Sequence, residues 1–211
     1  LRSPHPHARI RGFDTTAARA VPGVKAIVTG EDARGFLQGK VLRDLPVLCW
    51  DKVRYIGDRV AAVAAETPEA ADEALLLIDV DYEILPAVFD PMEAMEPGAP
   101  LLHDDMSAYE GAPKDFLAPD IHNGQTRLFW TKGDLERGFA EADVVLEHSF
   151  AIPSRHQGYL EPFASIIDID DDGRIQAWCA SKAPFRARRQ MAQALGLDEE
   201  LIRVNVTSIG G

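Results

Sequence analysis

The apolar positions of this chain fall into two rhythms. At residues 71, 74, 75 and 78 (Ala71, Ala74, Leu75, Ile78) they recur at i, i+3, i+4 and i+7, the stripe of one helix face. Thr67-Pro68 ahead of them is an N-cap followed by a proline at the first helical position, where its missing N–H costs nothing. Val60-Ala61-Ala62-Val63-Ala64-Ala65 before the helix reads as a strand, and residues 79–84 after it alternate polar and apolar as a half-buried strand does. Residues 59–85 therefore predict a strand–helix–strand unit whose helix packs on a sheet.

Upstream, residues 7–13 predict a short strand, and Asp14-Thr15 caps a brief helix through Ala20. Pro22-Gly23 turns the chain into residues 24–29, a β-rich run expected to be a buried strand, and residues 30–32 open a short helix or loop. Mixed polarity and breakers make residues 35–52 extended loop and edge strand. Residues 86–125 hold nearly half of the 14 prolines and show little periodicity, which suits a surface connection.

Order resumes at residue 129, with Gly133-Asp134 opening a short helix through Phe139. Residues 144–152 alternate as a strand would. Residues 164–169 and 174–179 predict two strands joined by Asp170-Asp171-Asp172-Gly173, a hairpin turn by its chemistry. Pro184 opens a helix with Ala187, Met191, Ala194 and Leu195 on one stripe, and Gly196 ends it. Residues 202–206 form a last strand that enters Gly210-Gly211. There is no internal repeat and no low-complexity tract.

Composition narrows the function classes. With 211 residues, 46% of them hydrophobic and 27% charged, the chain suits one large domain or two small ones. No apolar run reaches the length of a membrane span and no signal peptide opens the sequence. The net charge of −12 is concentrated in residues 66–120, which carry 15 acids against the single base Lys114. Such a surface repels phosphate backbones, so no nucleic-acid partner is expected, and no membrane. Cys49 and Cys179, in no metal-binding spacing, read as free thiols of a reducing, cytoplasmic compartment.

Four groups of residues invite chemistry. Asp168-x-Asp170-x-Asp172-Gly173 mimics the start of a calcium loop, but Cys179 stands where the bidentate glutamate belongs, so a tight acidic turn is the better reading. His5 and His7 could share a metal if they lay on one strand face. His156 and Glu161 suit acid–base or ligand roles, with a structural role preferred. Lys182 sits beside Arg186, Arg188 and Arg189.

Several blocks, in order, carry a family resemblance. They are Arg2-Ser3-Pro4-His5-Pro6-His7-Ala8, His156-Gln157-Gly158-Tyr159-Leu160-Glu161-Pro162, Ala180-Ser181-Lys182-Ala183-Pro184, Gly196-Leu197 and Ser208-Ile209-Gly210-Gly211. Together they resemble the large subunit of the molybdenum hydroxylases, the xanthine dehydrogenase/aldehyde oxidase family. The resemblance implies an α+β chain in two parts: a hammerhead-like mixed-sheet domain over residues 1–112, a linker over 113–127, and the start of the molybdopterin-binding domain over 128–211.

The same resemblance implies a piece of a larger protein that hydroxylates an aldehyde or N-heterocycle with water as oxygen source. Its partners would be the remainder of the large subunit, iron–sulfur and flavin subunits or domains, a small-molecule substrate, and further copies in an oligomer. Gly210 and Gly211 would begin a glycine loop that reaches under the molybdenum–pterin cofactor, where only bare backbone can approach an anionic group. Lys182 occupies the position of a family glutamine that donates a hydrogen bond towards the metal's oxo group. It could donate as a cation instead, or point to solvent with its arginine neighbours. Lys182, Gly210 and Gly211 are thus the candidate cofactor-binding residues, with no catalytic residue and no metal ligand expected. The chain by itself is expected to be inactive and to hold no cofactor. The alternative is a non-catalytic scaffold subunit or paralogue of the same fold.

Overall fold

A computed structural model describes residues 1–39, 42–112 and 117–210. Strand β1 (Ala8–Asp14) carries small and branched residues inward and ends at Asp14, whose carboxylate accepts from the Thr16 N–H at 2.8 Å and starts helix α1 (Thr16–Arg19). Strand β2 (Val24–Thr29) follows the Gly23 turn, where φ is +89°. It buries only Ile27 and Thr29, because α1 and the later helix Pro68–Leu76 pack on one side and leave the other face open; the expected buried strand is half-exposed. Residues 30–35 are turns, the loop of the two alternatives, and two short strands, β3 (Leu37–Gln38) and β4 (Leu45–Pro46), pair antiparallel within the predicted extended region.

Strand β5 (Lys52–Val53), strand β6 (Ala61–Ala65), helix α2 (Pro68–Leu76) and strand β7 (Asp79–Ile84) complete the first unit. Thr67 caps α2 by accepting from the Ala70 N–H at 3.2 Å. The predicted strand–helix–strand unit forms, yet its two strands belong to different sheets. β6 pairs antiparallel with β2, whereas β7 pairs antiparallel with β1, which also holds β5 on its other edge.

Two small cores result. One joins Ala18, Val21, Ile27, Ala61, Ala74 and Ile78 beneath α2, and the other joins Ala8, Ile10, Cys49, Val53 and Val60. Val80 packs against both. Gly30 lies so close to the Cys49 carbonyl that a Cβ has no room, and its N–H donates to Val60 O at 2.9 Å. Burial is the first cause that pushes the Cys49 thiol well above its ordinary pKa, followed by the neighbouring Asp58 charge.

The connection after β7 is a strap held down by side chains. Helix α3 (Pro91–Ala94) is capped by Asp90, and Asn123, in the left-handed region at φ 54°, binds Ala94 O, Pro100 O and the Leu102 N–H. Arg54 donates to Leu102 O at 3.0 Å, tying the strap to the first unit. Helix α4 (Leu135–Glu141) starts at Asp134, as predicted.

Residues 144–152 form no strand: Val144, Leu146, Phe150 and Ile152 are all more than two-thirds exposed. An alternating sequence becomes a strand only against a partner, and no described residue supplies one here. Strand β8 (Ser165–Ile169) and strand β9 (Ile175–Cys179) make the predicted hairpin. Its Asp170 carboxylate accepts from the Asp172 and Arg174 N–H groups, so it serves the turn rather than a calcium ion.

Helix α5 (Pro184–Leu195) then crosses to strand β10 (Ile202–Val206), which runs parallel to β9. α5 stops at Gly196, whose φ of +66° is the left-handed cap. Its predicted stripe holds in part: Met191 packs against the core and Ala194 is buried, but Ala192 joins them and Leu195 does not. Ala192 packs against Ile175 and Ile202, while Leu195 is 46% exposed.

Candidate functional site

The parallel pairing of β9 and β10 decides where the candidate residues meet. Val206 lies opposite Cys179, and the Thr207 N–H donates to Cys179 O at 3.1 Å, so both strands leave the sheet at the same edge. Residues 180–183 depart from one strand and residues 207–210 from the other. Ligand sites in α/β sheets form at such carboxyl edges, because neighbouring strand ends diverge there and leave a crevice. Here the crevice is a cavity of about 450 Å³, bordered by Glu161, Phe163, Cys179, Ser181, Lys182 and Ile209.

Lys182 therefore borders the cavity with an exposed side chain. Arg188 and Arg189 turn instead to Glu199, each at 3.4 Å. Among the described residues Lys182 makes no ion pair within 4 Å, although its charge is felt by Glu161. Gly210 enters the same corner and donates its N–H to Glu161 Oε2 at 2.9 Å. That hydrogen bond, first, and the Lys182 charge, last, hold the Glu161 carboxyl below the usual range. Gly211, the other candidate, lies outside the described residues.

The remaining candidates do not assemble a site. His156 accepts from the Gly158 N–H at 3.0 Å and packs edge-on against Tyr159, a role in shaping the wall. His7 is buried and bonds Pro86 O through Nδ1, while His5 packs against Tyr82, so the two rings face different partners. Among the described residues no group of three His, Cys, Asp or Glu side chains could hold a metal ion. Ser181 and Ile209 at the cavity lie inside the blocks that carried the family resemblance, without being singled out there, whereas Cys179 had no signal beyond its place at a strand end.

These residues fit an anionic, pterin-like group in kind. A lysine without a close carboxylate partner supplies charge, and Phe163 and Ile209 supply apolar surface, while the Gly210 N–H is taken by Glu161. No helix among the described residues is long and apolar enough to cross a membrane.

Comparison with known proteins agrees with this architecture. The sequence model described as aldehyde oxidase and xanthine dehydrogenase, a/b hammerhead domain, matches residues 1–86, and that of the molybdopterin cofactor-binding domain matches residues 120–211. The chain is 37% identical, over its whole length, to 26% of a probable xanthine dehydrogenase subunit of Bacillus subtilis. It is 36% identical to 27% of the carbon monoxide dehydrogenase large chain of Afipia carboxidovorans. The crystal structure of Cu,Mo-CO dehydrogenase in its carbon monoxide reduced state superposes with a TM-score of 0.83 at 34% identity, covering all of this chain and 27% of that one. The chain thus spans about a quarter of the length of these relatives. With a hammerhead unit, a strap and a cofactor-binding unit in the same order, it belongs to the molybdenum hydroxylase large-subunit family.

Proposed function

We propose that this sequence supplies the hammerhead unit and the leading wall of the cofactor site in a molybdenum hydroxylase that oxidises an aldehyde or an N-heterocycle, with water as oxygen source. Residues 1–112 would form the first domain, 113–127 the linker and 128–211 the start of the second. Iron–sulfur and flavin subunits or domains would take the electrons. The observation that supports this best is the meeting of Lys182 and Gly210 at one carboxyl edge of the β9–β10 pair. A molybdenum–pterin group, when bound, supplies the redox chemistry. The chain's own part is to bind: Lys182 offers a cation and a donor, Glu161 holds the Gly210 loop at the cavity, and Phe163 and Ile209 offer apolar surface to the group.

Lys182 in place of the family's glutamine favours a second reading, a scaffold of this fold without a redox site. The complete subunit containing this sequence, prepared with its electron-transfer partners, separates the two. Equimolar molybdenum by elemental mass spectrometry, with turnover of an aldehyde or N-heterocycle panel, is expected. Metal-free, inactive protein would leave the scaffold reading standing.

A further inference from the structure

We propose that Glu161 is the positioning residue of the glycine loop, its carboxylate clasping the Gly210 amide beside Lys182 and so setting where the loop lies at the cavity. The cofactor role of that cavity rests on the function proposed above; the clasp itself rests on geometry. The ladder of β10 ends with the Thr207 N–H on Cys179 O. Among the described residues the next hydrogen bond along the loop is the one from the Gly210 N–H to Glu161, at 2.9 Å and 49 positions away in sequence. A Cβ at residue 210 would meet that same carboxylate oxygen, so a larger residue there would push the Glu161 side chain off the amide.

Tyr159, Cys179 and Lys182 are the other titratable groups around the cavity, and Lys182 is the one whose charge bears on Glu161. Ionised Glu161 is the stronger acceptor. Its carboxyl is held below the ordinary range, so the clasp is complete above that range and loosens as pH falls through the lowered value.

Nuclear magnetic resonance of the full chain tests this through the Gly210 amide proton. In the parent protein it is expected downfield of its random-coil position, moving towards it as pH falls through the carboxylate range. Glu161→Gln, whose side-chain oxygen still accepts, should keep the shift and lose its pH dependence. Glu161→Ala should lose the shift at every pH, and Lys182→Met should move the transition to higher pH. A Gly210 amide that Glu161→Ala leaves in place, with the β9 amides confirming an intact fold, overturns the proposal. So does a parent amide that does not titrate. A clasped amide in a metal-free complete subunit would sink the cofactor reading alone, and a free amide in a molybdenum-loaded one would sink this proposal alone.

Discussion

Lys182 concentrates the residue-scale question, because a lysine is neither the size nor the charge of the glutamine it replaces. If it faces the metal in the complete subunit, its cation favours the reduced, more electron-rich state and raises the midpoint potential. Lys182→Gln is then expected to lower that potential, and Lys182→Met to lower it further while slowing turnover, since the donor is lost altogether. A redox titration of the three proteins checks it; coincident midpoints would mean that the lysine serves only Glu161. The sequence offered Lys182 as either a cavity residue or a member of the arginine cluster. Glu199 draws Arg188 and Arg189 aside, which no spacing could reveal. Glu161 was less legible still, because its partner lies 49 positions away and is a backbone amide, which carries no side-chain signature.

Among the elements, α2 shows what local sequence does encode. A cap, a proline at the first turn and a four-residue stripe are all within one window, and the helix begins at Pro68 as predicted. Ile78, just past the helix end, is buried at 7% exposure, whereas Leu75 is half-buried. Ile78→Ala should therefore cost about 2–5 kcal/mol of stability, and Leu75→Ala an amount near the lower end of that range. Glu69→Ala, on the exposed first turn, should stay within about 1 kcal/mol. Thermal or denaturant unfolding of the three variants measures this, and equal midpoints for Ile78→Ala and Glu69→Ala would contradict the packing. Pairing was not legible in the same way. Residues 144–152 have a strand's pattern without a strand's partner, and the strands on either side of α2 join sheets whose other members lie far upstream. Register is a property of two segments, and one sequence window holds only one of them.

At the scale of the whole molecule, the second unit is open where the first is closed. Leu160, Phe163 and Trp130 are each about nine-tenths exposed at 92%, 89% and 95%, and every residue of β8 is exposed. Around the cavity the chain offers one wall, so a bound pterin would leave most of its polar atoms to water. The 211-residue chain alone is accordingly expected to carry no stoichiometric molybdenum, and elemental mass spectrometry finding one metal per chain would refute that. The first unit behaves differently because of Val80. That side chain belongs at once to the core under α2 and to the core around β1, although the strands feeding the two cores lie in separate sheets. Neither sheet can open without baring part of the other's interior. Two sheets that look independent on paper are thereby expected to open as one cooperative unit, and native-state hydrogen exchange should find their amides exchanging together rather than sheet by sheet.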